Sequence, residues 1–142
     1  MGLDMYLNAK KYIGSNDEVK VEGLPEAAFM KLKWVTYEGM YWRKANAIHA
    51  WFVDNVQNGV DDCKEYYVDN KKLEELMNHC ATVIADPSQA EELLPTQSGF
   101  FFGETAYGDW YIENLKATYE GLKELLAQPM GPEWSFFYES SW

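Results

Sequence analysis

The stretch from Tyr41 to Trp51 has the residue types that a binding site for an anion with a flat ring needs. It contains Arg43, the only arginine of the chain, and His49, one of the two histidines. Arginine offers a planar, permanently charged fork to a carboxylate or phosphate, and an aromatic face can stack against a ring. The side chains expected to contact such a ligand are Tyr41, Trp42, Arg43, Lys44, Asn46 and His49.

A helix would position these side chains, because apolar residues recur at helical spacing from about Tyr41 to Gln57. In this interpretation Arg43 and Lys44 lie at the helix start, where partial positive charge and free backbone donors favour an anion. The alternative is structural: the tryptophans belong to the core, Arg43 pairs with one of many acids, and His49 is a satisfied buried group.

A second candidate wall covers residues 94–100, where Thr96, Gln97 and Ser98 precede Gly99. These side chains can hydrogen-bond a base edge or a sugar, and glycine permits close approach of the backbone. A polar turn leading into a buried strand is the alternative interpretation.

Catalytic and metal motifs are missing from the sequence. It has no phosphate-binding loop, dinucleotide fingerprint, Gly-x-Ser-x-Gly elbow, Cys-x-x-Cys pair or His-Glu-x-x-His helix. Asp61-Asp62 is the better of the weak metal candidates, and Cys63 and Cys80 are expected to be reduced, with Cys80 in the core. We therefore predict no catalytic residue, no metal and no cofactor.

Length and charge narrow the class of protein. The 142 residues predict a single domain, 1–142, and the net charge of -11 disfavours direct binding to nucleic acid or anionic lipid. No apolar run approaches the length of a membrane span, and the start does not resemble a secretory signal. These features indicate a cytoplasmic protein that does not bind a membrane.

The order of predicted elements favours an α+β fold, with a small mixed or antiparallel sheet and three to four helices packed mainly on one of its faces. Strands are predicted at residues 2–7, 19–22, 32–37, 65–68, 98–103 and 134–138, and helices at 25–30, 41–57, from 69–70 to Ile84, 87–94 and 107–128. Glu38-Gly39 is expected to end the third strand.

Four segments together resemble an uncharacterised family of small proteins carried by bacteriophages and prophages. They are MGLDMYL at the start, YWRKAN with IH and WFV after it, LPTQSGFFFG, and SSW at the end. The resemblance spans nearly the whole chain and implies a cytoplasmic protein made in a bacterial host. It implies no particular reaction.

Small phage proteins that are not part of the virion often counteract host defence. The leading hypothesis is therefore a protein that binds and sequesters a phosphorylated, nucleotide-derived signal of anti-phage defence. One alternative is a small enzyme that cleaves such a nucleotide with His49 as acid or base. Another is an acidic inhibitor of a nucleic-acid-binding host protein, and the aromatic residues could also form a homo-oligomer interface.

Overall fold

The computed structural model describes residues 2–14, 22–23 and 31–142. In this part of the chain the strands are β1 (Asp4–Tyr12), β2 (Trp34–Arg43), β3 (Tyr66–Val68) and β4 (Trp134–Ser141). The helices are α1 (Asn46–Asn55), α2 (Asn70–Ala85), α3 (Ala90–Leu93) and α4 (Asp109–Leu126), and a 3-10 turn at Pro87–Gln89 precedes α3. The predicted strand at 19–22 and helical turn at 25–30 lie outside the described residues, apart from residue 22.

The strands form one antiparallel sheet in the order β2-β1-β4-β3. Side chains alternate across β1: Met5, Leu7 and Ala9 are buried, whereas Asp4 and Tyr6 are partly exposed. This alternation with a period of two gives the sheet one apolar side, against which the helices pack, and one open face.

Helix α1 is the central helix, because all seven residues from Asn46 to Phe52, out of its ten, are buried. A helix covered on every side must lie between other elements. On the sheet side, the Phe52 ring stacks on that of Tyr138 in β4, with centroids 3.9 Å apart and an interplanar angle of 8°. Helices α2 and α4 carry single apolar stripes and pack against each other.

The predicted α+β class, antiparallel sheet and helices on one face are confirmed. Local sequence features located several elements well: Asp69 caps α2 by accepting a hydrogen bond from the backbone N–H of Lys72 at 2.8 Å. The last strand runs further than predicted, to Ser141, and the 87–94 helix divides into the 3-10 turn and α3.

The predicted strand end at Glu38-Gly39 is wrong. Leu7 pairs with Met40 and Asn8 pairs with Glu38, so Gly39 is an extra residue in a β-bulge and β2 continues to Arg43. The predicted helix start at Tyr41 is wrong for the same reason, since the helix begins at Asn46.

The predicted strand at 98–103 is also wrong, because this segment forms a turn. The Phe102 N–H donates to the Gly99 carbonyl at 3.2 Å, and the Phe102 carbonyl accepts from the Asn46 side chain at 3.0 Å. Phe100 is 95% exposed whereas Phe102 is buried. The apolar composition of this segment predicted a strand. In the structure, the backbone groups of Phe102 form hydrogen bonds within the turn and with the Asn46 side chain.

Candidate functional site

Arg43 lies on the open face of the sheet, at the end of β2 opposite Asp4 of β1. Its side chain is 51% exposed, and its Nη1 donates to Asp4 Oδ1 at 2.9 Å. The Tyr41 hydroxyl donates to the same oxygen. The Tyr41 hydrogen bond, followed by the charge of Arg43, holds the pKa of Asp4 below its usual value. Asp4 is therefore a carboxylate that fixes the orientation of the guanidinium.

Lys44 follows Arg43 in a left-handed backbone conformation, with φ of 54°. Its N–H donates to the Leu3 carbonyl at 2.7 Å. A Cβ atom added to Gly2 would lie 3.1 Å from Arg43 Nη2 and 3.1 Å from Lys44 Cε. The two cationic side chains thus converge over Gly2, and we refer to Arg43 and Lys44 as the cation pair.

Two tyrosine rings lie next to the cation pair on the open face. Tyr6 and Tyr41 have ring centroids 5.4 Å apart with an interplanar angle of 48°, and Tyr41 is half-exposed. Trp42 points to the other side of the sheet, where it is buried and donates from Nε1 to Thr118 Oγ1 at 2.8 Å. A ligand on the cation pair can therefore stack on Tyr41 but cannot reach Trp42.

Asn46 joins the two segments that the sequence singled out. Its Nδ2 donates to the carbonyls of Phe102 at 3.0 Å and Glu104 at 2.9 Å, and its Oδ1 accepts from the Gln97 N–H at 3.0 Å. The side chain is 4% exposed. Its polar atoms are occupied in holding the 94–104 loop on α1, so they are not available to a ligand.

Two polar side chains of the loop also form hydrogen bonds within it. Thr96 Oγ1 donates to the Thr105 carbonyl at 2.9 Å, and Gln97 Nε2 donates to the Ser98 carbonyl at 3.3 Å. The side chains of Gln97 and Ser98 face solvent. A cavity at the start of α1, between Lys44, Thr96 and Glu104, has a volume of about 10 Å³. That volume accommodates about one water molecule.

His49 lies at the centre of a buried network and is 0% exposed. Its Nε2 is 2.9 Å from Asp61 Oδ2 and its Nδ1 is 2.6 Å from the Tyr138 hydroxyl. A carboxylate can only accept, so Nε2 carries the hydrogen, and in the neutral imidazole Nδ1 accepts from Tyr138. Asp61 also accepts from Trp142 Nε1 at 3.0 Å. This network fixes α1, β4 and the Asp61 loop to one another, and a ligand outside the protein cannot contact His49.

Gly2, Asp4 and Tyr6 also belong to this site, although sequence reasoning did not predict them: Gly2 and Asp4 lie next to Arg43, and Tyr6 contacts Tyr41. Asp4 and Tyr6 occupy alternate positions of the first strand, a pattern that places them on one face. That β2 is one of the two strands beside them, with Arg43 opposite Asp4, follows only from the strand pairing.

The other chemical groups give no metal centre among the described residues. No group of three or more His, Cys, Asp or Glu side chains there is placed to hold a metal ion. Asp62, a weak metal candidate, accepts hydrogen bonds from the Tyr66 hydroxyl at 3.0 Å. Cys63 is an exposed thiol and Cys80 a buried one. Of the helices in the described ranges, none has the length and hydrophobicity required to cross a bilayer.

No protein-family model, curated protein or solved structure matches this chain.

Proposed function

We propose that this chain is a phage-encoded binding protein that sequesters a phosphorylated, nucleotide-derived signal of host defence in the cytoplasm of the bacterial host. The observation that supports the binding part of the proposal is the convergence of Arg43 and Lys44 over Gly2, beside the half-exposed ring of Tyr41. The phage origin depends on the sequence resemblance.

The cation pair has the chemistry to bind a phosphate. A guanidinium has five N–H donors, and the hydrogen bond to Asp4 uses Nη1. The remaining donors and the Lys44 ammonium group can contact phosphate oxygens, with a bidentate contact from Arg43. Asp4 opposes an anion through its charge but keeps the guanidinium in one orientation, which lowers the entropy cost of binding.

Tyr41 supplies the surface for the base. Its hydroxyl is held by Asp4 and its ring contacts Tyr6, so the ring has a fixed position next to the cation pair. Stacking of a base on such a ring contributes about 1–3 kcal/mol. This site replaces the larger one expected from the sequence, in which Trp42, Asn46 and His49 also contacted the ligand.

Sequestration is favoured over cleavage because His49 is sealed inside the protein. General acid–base catalysis needs a group within hydrogen-bond reach of the substrate. The imidazole nitrogens of His49 bond to Tyr138 and Asp61 instead.

Isothermal titration calorimetry with AMP, cyclic AMP and a cyclic dinucleotide tests this proposal, with adenosine as the uncharged control. We expect at least one phosphorylated compound to bind and adenosine to bind much more weakly. Arg43→Gln should weaken that binding at least tenfold, or about 1.4 kcal/mol. Lys71→Gln makes the same charge change at an exposed position of α2 and should have no effect.

The absence of binding heat for every phosphorylated compound would refute the proposal. Equal weakening in Arg43→Gln and Lys71→Gln would also refute it, because it would show a general charge effect. Thermal unfolding of both variants controls for misfolding.

A second candidate function is protein binding, including self-association, through the open face. Exposed aromatic side chains extend along this face and include Tyr12, Trp34 and Tyr67. Exposed apolar surface of this kind is common at interfaces. Light scattering after size-exclusion chromatography would show a dimer that Trp34→Ser dissociates, whereas Arg43→Gln would leave it intact. A wild-type monomer would count against self-association.

A further inference from the structure

A cleft lies between the bulge of β2 and the C-terminal half of α4, and it shares no lining residue with the cation pair. Its volume is about 510 Å³, within the range of about 300–1,000 Å³ that is typical of small-molecule sites. The described residues that line it are Ala9, Tyr37, Glu38, Gly39, Gly121, Glu124, Leu125, Gln128 and Met130.

Two glycines allow β2 and α4 to approach each other at this cleft. A Cβ atom added to Gly39 would lie 3.0 Å from the Leu7 carbonyl oxygen and 3.2 Å from Leu125 Cδ2. One added to Gly121 would clash with the Met40 methyl group. The bulge at Gly39 thus shapes the wall of the cleft, and Tyr37 and Glu38, the two residues before it, both line the cleft.

The walls of the cleft combine apolar and aromatic surface. Ala9, Leu125 and Met130 supply aliphatic groups. The Tyr37 ring is 61% exposed, and it contacts the Trp134 ring with centroids 5.4 Å apart and an interplanar angle of 39°. An exposed aromatic ring above aliphatic side chains suits the flat or apolar body of a small molecule.

The charged side chains that line the cleft are all negative. Glu38 and Glu124 are exposed, and no described residue forms an ion pair or side-chain hydrogen bond with either carboxylate. The described lining residues include no Lys, Arg or His. The chain as a whole carries a net charge of -11, which adds to the negative potential.

We propose that this cleft binds a small organic cation, meaning a primary amine or guanidinium on an apolar or aromatic body. The two carboxylates attract the charged group, the Tyr37 ring adds a cation–π contact, and the aliphatic wall covers the body. This ligand has the opposite charge from the one proposed for the cation pair, and the two sites share no residue. Binding at each site can therefore be tested separately.

Phenethylammonium is a suitable probe, monitored by NMR through the amides of Gly39 and Gly121 and the methyl of Met130. We expect saturable shifts of these signals. The neutral analogue 2-phenylethanol and the anionic analogue 3-phenylpropionate should bind at least tenfold more weakly.

The double variant Glu38→Gln/Glu124→Gln should weaken phenethylammonium binding about tenfold, as expected for the loss of two exposed charge contacts. Glu113→Gln/Glu120→Gln is the matched control, since it removes two exposed charges from α4 outside the cleft. Arg43→Gln should leave the binding unchanged, which separates this result from that for the cation pair.

The proposal would be overturned by the absence of a saturable shift with phenethylammonium, by equal affinity for 2-phenylethanol, or by equal weakening of binding in both double variants. A lysine-containing peptide that binds where phenethylammonium does not would also overturn it, because the occupant would then be a protein side chain.

Discussion

Replacement of Asn46 gives the sharpest test of how the 94–104 loop is held. The side chain makes three hydrogen bonds to backbone groups, two as donor and one as acceptor, at 2.9–3.0 Å. A hydrogen bond contributes about 1 kcal/mol net, and a buried group left without a partner costs more. We therefore expect Asn46→Ala to lower the free energy of unfolding by about 3 kcal/mol.

At neutral pH, Asn46→Asp should lower the free energy of unfolding more than Asn46→Ala does, although the Asn and Asp side chains have nearly the same shape. The oxygen that replaces Nδ2 would face the carbonyl oxygens of Phe102 and Glu104, so a repulsive contact would replace two hydrogen bonds. This environment disfavours the charged form and raises the pKa of the introduced carboxyl in the folded state above its unfolded value of about 3.9.

The pH dependence follows from the direction of that shift. The folded variant would bind a proton more tightly than the unfolded chain, so falling pH would stabilise it relative to Asn46→Ala. The loss of stability of Asn46→Asp beyond that of Asn46→Ala should reach its full size above the folded-state pKa of the introduced carboxyl. It should fade as pH falls through that pKa and vanish below about pH 3.9.

Urea unfolding followed by tryptophan fluorescence measures both effects. Gln97→Ala is the control, because Asn46 binds the backbone N–H of Gln97 and the exposed side chain should be dispensable. A cost below about 0.5 kcal/mol for Asn46→Ala would refute the reasoning. So would an Asn46→Asp variant whose stability follows that of Asn46→Ala at every pH.

Other predictions concern the thiols, the buried network and a helix cap. In the native protein a thiol reagent should modify Cys63 quickly and Cys80 only on unfolding, because burial raises the pKa of Cys80 to about 12; two fast thiols would contradict this burial. Tyr138→Phe removes a buried hydroxyl from the His49 ring and should cost about 1–3 kcal/mol in urea unfolding; a neutral result would mean that this bond adds no stability. Asp69→Ala should cost about 1 kcal/mol in thermal unfolding, and an unchanged melting temperature would argue against the cap.

Local patterns in the sequence determined most of the helices and the fold class. The apolar stripe of α2, the Asp69 cap of that helix and the apolar stripe of α4 each involve residues that are close together in the sequence. Local features of this kind can be predicted from the sequence alone. Apolar composition and the order of elements likewise predicted an α+β fold with helices on one face of the sheet.

Strand register decided the surroundings of Arg43. Glu38-Gly39 is typical of a strand end, yet pairing with β1 continues β2 through the bulge to Arg43. The helix begins at Asn46 instead of Tyr41, so residues 41–43 lie in a strand, where side chains repeat with a period of two instead of 3.6. Trp42 therefore lies on the opposite face of the sheet from Tyr41 and Arg43. A bulge depends on the partner strand, which local sequence does not specify.

The sequence by itself determined that His49 and Arg43 are scarce, chemically distinctive groups, and its apolar spacing placed His49 on a helix. Only the tertiary structure decided their surroundings. The partner of His49 in β4, Tyr138, is 89 positions away, and that of Arg43 in β1, Asp4, is 39 positions away. Contacts over such separations depend on how the sheet and helices pack, because no local propensity links residues so far apart in the chain.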